Sequence, residues 1–205
     1  MRIVIIDHGS GNLHSAERAF AHVADHPVEI TSRPEAVAAA DYIVLPGVGA
    51  FADCLAGLAA LDGMRDALEE RVIRQGRPFL GICVGMQLMC ARGLEDGTHK
   101  GFGWLDGDIA PLFDDIPNGL KVPHMGWNDI ETCAPHPVLD GLDRAHFYFV
   151  HGYAARNVAP VARADYGGAF AAALGRDNLF GTQFHPEKSQ AAGQRLIENF
   201  LGWRP

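Results

Sequence analysis

The sequence predicts an α/β fold: a doubly wound, mostly parallel sheet with helices on both faces and a strand-rich C-terminal half. In the first half, strand and helix signals alternate, which is typical of parallel strands joined by crossover helices. After about Gly97, short β-like runs are separated by Gly, Pro and Asp turns instead. Because no linker, repeat or low-complexity segment interrupts the chain, a single domain is expected over residues 1–205.

The individual elements follow from runs of apolar residues. Ile3 to Ile6 is a continuous β-branched run, the pattern of a strand that is covered on both faces. The spacing of apolar residues then predicts helices over 13–23, over about 55–74, from about 84, and over 191–203. Strands are predicted over 28–31, 42–45, 77–82, 130–133, 147–150 and 179–184.

The composition is that of a globular protein and argues against several classes of function. The 205 residues are 48% hydrophobic, which is ample for a core. Lys and Arg number 17 against 25 Asp and Glu, so the net charge is −8, and no nucleic acid or membrane is expected as a partner. The first residues have the pattern of a strand, not of a signal peptide, and no apolar stretch approaches the ~20 residues of a membrane span. A cytoplasmic location is therefore expected.

The cysteines and histidines show no spacing typical of metal or redox sites. The four cysteines, at positions 54, 83, 90 and 133, form no C-x-x-C pair, and none of the ten histidines belongs to an H-E-x-x-H segment. The aspartates near position 110 lack the spacing of a calcium-binding loop. We therefore expect neither a metal nor another cofactor.

One cysteine has the setting of a nucleophile. The segment 79–87 is predicted as a strand, then Gly-x-Cys-x-Gly centred on Cys83, then a helix, which is the cysteine counterpart of the Gly-x-Ser-x-Gly nucleophile elbow. The helix N-terminus favours a thiolate, and the N–H of Val84 can serve an oxyanion hole. Taken alone, the segment could instead hold a buried, inert cysteine in a helix–strand contact.

A candidate base lies in the segment His185-Pro186-Glu187, which follows a predicted strand. In an extended segment, residues i and i+2 point the same way, so His185 and Glu187 can project to one side, and Pro186 favours that conformation. A carboxylate on one imidazole nitrogen leaves the other free to activate a thiol, with His185 as general base and acid. Taken alone, the segment could instead be a turn with a surface ion pair.

Segments 81–87 and 184–187 together resemble the class I glutamine amidotransferases, a family with a Cys-His-Glu triad. The resemblance implies the fold of that family and catalytic roles for Cys83, His185 and Glu187. It also implies that the side-chain amide of glutamine is hydrolysed through a thioester on Cys83, with release of glutamate and ammonia.

Three further segments narrow the resemblance to one subgroup of the family. Residues 46–51, 123–128 and 184–189 are similar to the glutaminases that deliver ammonia to a (β/α)8-barrel cyclase in histidine biosynthesis, and residues 2–12 also fit. The implied cyclase makes imidazole glycerol phosphate and AICAR, so the resemblance suggests a heterodimer with both hydrolase and lyase chemistry. The similar blocks are spread over nearly the whole chain, and the likeness is weakest over 152–178.

The resemblance also implies roles for further residues. Val48 is expected to offer a second oxyanion N–H beside that of Val84, once its strand adopts the active conformation. Gln87 and Glu95 are expected to hold the α-amino and α-carboxylate ends of glutamine. The full expected glutamine-binding set is Gly49, Gln87, Glu95, His151, Gly152 and Tyr153, and the expected partner-facing set is Trp127, Asn128, Tyr148 and Lys188. Judged without the resemblance, Trp127 would be a half-buried core aromatic.

Two other functions stay open at this point. One is a glutaminase of another pathway, such as anthranilate or pyridoxal phosphate synthesis, although the partner-facing motifs of those enzymes differ from Trp127-Asn128. The other is a scaffold or regulatory subunit that keeps the fold and has lost activity. The intact set of Cys83, His185 and Glu187 argues against this second alternative.

Overall fold

The computed structural model describes all residues from 1 to 205. Its strands are β1 (Ile3–Ile6), β2 (Val28–Thr31), β3 (Tyr42–Gly47), β4 (Phe79–Cys83), β5 (Arg92–Gly93), β6 (His99–Lys100), β7 (Asp108–Pro111), β8 (His124–Asp129), β9 (Glu131–Thr132), β10 (His146–His151), β11 (Tyr153–Arg156), β12 (Ala162–Asp165), β13 (Ala169–Arg176) and β14 (Leu179–Thr182). Its helices are α1 (Leu13–Val23), α2 (Pro34–Ala38), α3 (Phe51–Ala59), α4 (Met64–Leu68), α5 (Val84–Gln87) and α6 (Gln190–Gly202).

The central sheet has eight strands in the order β2-β1-β3-β4-β14-β13-β12-β9. The first five of these strands run parallel to one another, and β13, β12 and β9 add antiparallel strands at one end. A two-stranded ribbon of β8 and β10 and a four-stranded sheet in the order β11-β7-β5-β6 complete the C-terminal half. This arrangement confirms the predicted α/β fold with a mostly parallel sheet.

Helices cover both faces of the central sheet. The chain passes from β1 to β2 in one direction and from β2 back past β1 to β3 in the other. Because crossovers between parallel strands are right-handed, this reversal puts α1 and α2 on opposite faces. α6 packs against α1, whereas α4 packs against α2 and α3, so the helices form two layers. In such sheets ligands bind beyond the carboxyl ends of the strands near the reversal, where β3 and β4 end.

The core is continuous across the parallel and antiparallel halves. Every residue of β1, β3, β4 and β14 is buried, as expected for strands with helices on both sides. The 56 buried apolar residues form one cluster, so neither half has a separate core. None of the helices combines the length and the apolar character that crossing a membrane requires.

The structure corrects the predicted helix over 55–74. α3 begins earlier, at Phe51, and ends at Ala59, and α4 begins at Met64 after a break. Gly63 has a φ of 73°, which is a left-handed conformation that interrupts a helix and that glycine adopts most easily. After Leu68 the chain continues as a π-helical segment (Glu69–Arg74).

The C-terminal half contains more strand than the sequence predicted. Seven strands had no predicted counterpart: β5, β6, β7, β8, β11, β12 and β13. β9 is shorter than the predicted strand over 130–133. β13 is the longest strand, although alanine has a low strand propensity and occupies several of its positions. It forms because β12 and β14 hydrogen-bond to its two edges, which is a long-range condition.

Candidate active site

The elbow predicted around Cys83 is present at the end of β4. Cys83 is the last residue of that strand, and α5 starts at Val84, so the N–H of Val84 lies at a helix N-terminus. Cys83 has φ 54° and ψ −110°, a strained conformation for a residue with a side chain. A strained residue at the end of a buried strand is the arrangement expected of a nucleophile elbow.

The two glycines of the elbow, Gly81 and Gly85, lie where there is no space for a side chain. A Cβ on Gly85 would lie 1.8 Å from the carbonyl oxygen of Leu45 in β3, and a Cβ on Gly81 would lie 2.6 Å from the carbonyl oxygen of Gly85. Both contacts are with backbone atoms, which cannot move aside cheaply. The glycines therefore let α5 press against β3 and β4 directly behind Cys83.

The base segment turns more tightly than the sequence predicted. His185 itself is extended, but Pro186–Lys188 forms a single 3₁₀ turn, so the expectation of an extended i, i+2 pair was wrong in its geometry. The two side chains nevertheless meet, since His185 Nδ1 donates to Glu187 Oε1 at 2.8 Å. The side chains of His185 and Glu187 are 1% and 2% exposed, so this is not a surface ion pair.

Long-range contacts hold the base segment in place. The backbone N–H of His185 donates to the Tyr148 carbonyl of β10 at 2.9 Å. The Ser189 hydroxyl donates to the His185 carbonyl and accepts from the Tyr148 N–H at 3.0 Å. Together these bonds leave the imidazole little freedom to turn.

The electrostatics of His185 favour an imidazolium. Burial lowers the pKa of His185, but the nearby Cys83 sulfur and the hydrogen bond with Glu187 outweigh burial and raise the pKa to about 9. The Nε2 atom of the ring is buried and has no hydrogen-bond partner in the protein. The ring therefore holds a proton at neutral pH on an atom that is free to deliver it.

Cys83 and His185 line the same cavity of about 310 Å³. The cavity is lined by Val48, Gly49, Cys83, Val84, Gln87, Glu95, Val122, Pro123, Val150, His151, Gly152, Tyr153 and His185. The structure thus brings together the cysteine, the histidine, both predicted oxyanion residues and the six residues predicted to bind glutamine. A larger groove of about 950 Å³ beside α6 holds no cysteine and none of these residues.

Two polar side chains of the cavity are held by defined contacts. Gln87 donates through Nε2 to the Tyr153 carbonyl at 3.3 Å and to Gln183 Oε1 at 3.1 Å, so its Oε1 atom remains available to a ligand. Glu95 accepts from the backbone N–H of Phe51 at 2.8 Å, at the start of α3. Both therefore present oxygen acceptors to the cavity, which suits an ammonium group and not a carboxylate.

His151 belongs to a buried chain of hydrogen bonds on the other wall of the cavity. His151 Nδ1 donates to the Tyr153 carbonyl at 2.9 Å, and His151 Nε2 accepts from His124 Nδ1 at 3.1 Å. Burial lowers the pKa of each histidine to about 4. Both rings are therefore neutral at pH 7, which this donor–acceptor order requires.

The end of β3 and the adjoining Val48 are held in place by side chains. His8 Nε2 donates to the Pro46 carbonyl at 2.7 Å, and the Cys54 thiol donates to the Val48 carbonyl at 3.3 Å. Burial raises the pKa of Cys54 to about 12, so the thiol keeps the proton that this bond needs. Val48 is 37% exposed at the cavity mouth, and Gly49 has a φ of 94°.

Comparison with known proteins identifies the family to which this geometry belongs. The family model described as glutamine amidotransferase class-I matches residues 4–202. The chain belongs to the class-I glutamine amidotransferases. The predicted family and the predicted enzyme class are thereby confirmed.

Curated relatives that are similar to the amidotransferase over its full length share one name. Three curated relatives are named imidazole glycerol phosphate synthase subunit HisH. The proteins of Rhizobium meliloti (strain 1021), Agrobacterium fabrum and Cereibacter sphaeroides are 53%, 51% and 52% identical to the chain, and each alignment covers 100% of both sequences.

A solved structure described as a glutamine amidotransferase has a TM-score of 0.75 at 18% identity and covers 98% and 97% of the two chains. A chain of PurLQS from Thermotoga maritima has a TM-score of 0.72 at 17% identity, with the same coverage. At such low identity the two structures confirm the fold alone.

The four predicted partner-facing residues of the amidotransferase lie beside the base segment. Trp127 of β8 and Tyr148 of β10 are opposite each other in the ribbon, with ring centroids 6.1 Å apart. The Lys188 ammonium lies 5.9 Å from the Tyr148 ring centroid. Trp127 is 48% exposed and so is not a core aromatic, whereas the Asn128 amide donates to the Asp165 carbonyl at 2.8 Å.

Several residues of the site were not predicted from the sequence. Val122, Pro123 and Val150 line the cavity but carry no chemical signal, because apolar residues are common everywhere. Gln183 had a detectable signal: it is a polar residue in an apolar predicted strand, two positions before His185 and therefore on the same side. Gln183 is fully buried and contacts both Cys83 and Gln87.

Proposed function

We propose that this amidotransferase is the glutaminase subunit of an imidazole glycerol phosphate synthase. In that role it hydrolyses glutamine to glutamate and ammonia, and it delivers the ammonia to a (β/α)8-barrel cyclase that makes imidazole glycerol phosphate and AICAR. The two chains form a heterodimer in the cytoplasm. End-to-end identity above one half to relatives with that name supports the pathway.

One observation carries the proposed chemistry. A strained cysteine at a helix N-terminus shares a small cavity with a buried histidine whose Nε2 has no partner. The raised pKa of His185 favours an imidazolium in the same cavity as Cys83. A thiolate is the nucleophilic form of cysteine, and a neighbouring imidazolium stabilises that form.

In the first half-reaction the Cys83 thiolate attacks the side-chain carbonyl carbon of glutamine. The carbonyl π electrons move to oxygen, where the N–H of Val84 stabilises the negative charge and the N–H of Val48 is proposed to do so in the active conformation. His185 Nε2 then gives its proton to the amide nitrogen, the carbon–nitrogen bond breaks, and ammonia leaves a γ-glutamyl thioester on Cys83.

In the second half-reaction His185, now neutral, accepts a proton from water. The resulting hydroxide attacks the thioester carbon, the carbon–sulfur bond breaks, and glutamate leaves with the thiolate restored. Glu187 keeps the Nδ1 proton in place through both steps, so that Nε2 always faces the sulfur.

The polar residues that line the cavity can bind the α-ammonium and α-carboxylate groups of glutamine. Gln87 Oε1 and the Glu95 carboxylate can both accept from the α-ammonium group. A carboxylate cannot hold another carboxylate at neutral pH, so Glu95 does not bind the α-carboxylate as the sequence-based expectation allowed. We assign the α-carboxylate to the backbone around Gly49 and Gly152–Tyr153, which lines the same cavity.

The partner is proposed to cover the ribbon of β8 and β10. Trp127, Asn128, Tyr148 and Lys188 would lie at that contact, next to the segment that holds His185. The reaction of this chain is a hydrolysis, and nothing supports a lyase activity for it, although the resemblance suggested one for the assembly.

Turnover of glutamine to glutamate tests the proposal, measured with and without a cyclase barrel and its nucleotide ligand. For the wild type we expect a large rise in turnover when the barrel is present. For Cys83→Ala we expect no turnover in either condition. Cys133→Ala is the matched control, because that cysteine is exposed and outside the cavity, and it should keep full activity.

The other outcomes separate the alternatives. Turnover that does not respond to the barrel would assign the ammonia to another pathway. No turnover in either condition would favour an inactive scaffold. Full activity of Cys83→Ala would contradict the mechanism.

A further inference from the structure

A buried amide connects the sulfur of Cys83 with the side chain of Gln87. Gln183 follows β14 and is 0% exposed. Its Nε2 lies 3.6 Å from Cys83 Sγ, and its Oε1 accepts from Gln87 Nε2 at 3.1 Å. Gln183 does not line the cavity, so it acts on the site from behind the two residues that do.

With Cys83 as the thiolate of the proposed mechanism, the donors and acceptors along this chain have one consistent direction. A thiolate accepts hydrogen bonds, so the NH₂ group of Gln183 faces Cys83 and its oxygen faces Gln87. The NH₂ group of Gln87 is then used by Gln183 and by the Tyr153 carbonyl. The oxygen of Gln87 is therefore the atom left for the ligand.

The side-chain contacts of Gln183 serve the site and not the local fold. Its backbone N–H donates to the Ala172 carbonyl at 2.8 Å, which joins the segment to β13. The neighbouring Thr182 hydroxyl donates to the Phe184 carbonyl at 2.9 Å, a bond between residues of the same segment. The amide of Gln183 makes neither contact, and its only hydrogen bonds are to Cys83 and Gln87.

We propose that Gln183 has two roles in the reaction: it donates a hydrogen bond to the Cys83 thiolate, and it orients Gln87 so that an oxygen faces the α-ammonium of glutamine. The inference rests on the proposed function, because it assigns Cys83 as nucleophile and Gln87 as a substrate contact. Gln183 would thus stabilise the nucleophile and, from the same position, set the preference of Gln87 for an ammonium group.

Two substitutions separate these roles. Gln183→Met keeps the length of the side chain and removes both hydrogen bonds. Gln183→Glu keeps an acceptor for Gln87 and replaces the donor that faces the sulfur with a carboxylate. Thr182→Val is the matched control, since it removes a buried side-chain hydrogen bond one residue away without contact to either Cys83 or Gln87.

The first readout is the rate at which iodoacetamide alkylates Cys83 in the full chain, followed by peptide mass spectrometry across a pH series. This readout needs no turnover, so it decides the inference about the thiolate even if the proposed function fails. We expect Gln183→Met and Gln183→Glu to react about three- to tenfold more slowly near neutral pH, with profiles displaced to higher pH. Cys133 is exposed and should react equally in every variant, as an internal reference.

The second readout is the KM for glutamine in the complex with the cyclase barrel. Gln183→Met should raise KM about tenfold, because Gln87 is no longer held with its oxygen toward the ligand. Gln183→Glu should keep KM within about twofold of the wild type, since its acceptor is retained. Thr182→Val should change neither KM nor the alkylation profile of Cys83.

Three results would overturn the inference. The first is a wild-type alkylation profile and KM in Gln183→Met. The second is a fall in kcat of Gln183→Met with no change in KM or in the alkylation of Cys83, which would give Gln183 a structural role only. The third is an equal rise in KM for Gln183→Met and Gln183→Glu. A wild-type chain that never hydrolyses glutamine would contradict the proposed function instead.

Discussion

The two sides of the site are built in different ways. On the nucleophile side, Cys83 and its neighbours belong to β4 and α5, which are buried and follow each other directly in the chain, with the buried β3 alongside. On the base side, His185 depends on Tyr148 of β10, which is distant in sequence, and the adjoining ribbon exposes 62% of Met125 and 48% of Trp127.

The elbow is therefore fixed by the packing of this chain alone, whereas the base side lies next to a surface that a partner can contact. The elbow is closed in by backbone contacts with no room for even one methyl group. The base side borders a surface with large exposed apolar side chains, which mark interaction sites in soluble proteins. We therefore expect changes at the elbow to affect folding, and changes at the ribbon to affect assembly.

The largest effect is expected from Gly85→Ala. The added Cβ would meet the Leu45 carbonyl at 1.8 Å, and relief requires separation of α5 from β3. We expect a loss of more than about 4 kcal/mol in the free energy of unfolding, measured by urea denaturation. Gly193→Ala should cost a similar amount behind the base segment, because its Cβ would lie 1.9 Å from the Pro186 carbonyl.

Gly202→Ala is the control for both glycine substitutions. Gly202 ends α6, and a Cβ there would have no heavy atom within 4 Å, so the change should stay within about 1 kcal/mol. If Gly85→Ala were as stable as this control, the elbow would not be tightly packed against β3.

The second prediction compares two residues of the base side. His185→Ala should lower kcat for glutamine hydrolysis by about 10³-fold or more, because the proton carrier is lost. Glu187→Gln should lower kcat less, by roughly 10–100-fold, because it alters only the orientation and charge of the imidazole. Steady-state kinetics of the complex measure both, and an equal loss in the two variants would show that Glu187 does more than orient the ring.

The third prediction concerns acid stability. Burial lowers the pKa of His124 and His151 to about 4, whereas both would bind protons near pH 6.5 in the unfolded chain. The unfolded state then binds more protons, so the free energy of unfolding falls as pH falls from about 6.5 toward 4. We expect a loss of roughly 2–4 kcal/mol for the pair between pH 7 and 4.5.

Urea denaturation across that pH range checks this prediction. His124→Phe should reduce the pH dependence, since the ring lies among aromatic residues and one titrating group is removed. His14→Gln is the control, because that side chain is 89% exposed and should leave the profile unchanged. A profile that is flat between pH 6.5 and 4 in the wild type would contradict the buried, neutral pair.

His185 should act in the opposite direction at alkaline pH. Its pKa is raised to about 9, so the stability it contributes is complete below about pH 6.5 and is lost as pH rises through 9. The same denaturation series, extended to higher pH, should show a decline for the wild type that is absent in His185→Ala.

The smallest effect on the isolated chain is expected from Trp127→Ala. This side chain is 48% exposed, so the free energy of unfolding should change by less than about 1 kcal/mol. The affinity for the cyclase barrel, measured by calorimetry, should fall at least tenfold. Ile73→Ala is the control: it is 38% exposed in the π-helical segment, and it should leave affinity unchanged. Equal affinity for both variants would contradict the assigned partner surface.

The same division explains how much the sequence could predict. Gly81, Cys83 and Gly85 were recognised because an elbow imposes its requirements on adjacent residues. The pairing of His185 with Glu187 was also predicted, although the structure replaces the extended segment with a 3₁₀ turn. In each case the residues that matter are close in sequence.

The remaining features depend on contacts between distant segments. β13 contains several alanines and forms only because β12 and β14 flank it. The bond between His124 and His151 requires the register of β8 with β10, and the contacts of Gln183 require β4 and β14 to be neighbours. No local pattern carries that information, so the sequence could not predict these features.

The most direct test of the central claim is a search for the acyl-enzyme on Cys83. The complex with the cyclase barrel is mixed with glutamine and quenched in acid, and the peptide that contains Cys83 is analysed by mass spectrometry. We predict one γ-glutamyl group on that peptide in the wild type and none in Cys83→Ala, which should also form no glutamate. Glutamate production without any adduct on Cys83, and with Cys83→Ala still active, would contradict the role of Cys83 as nucleophile.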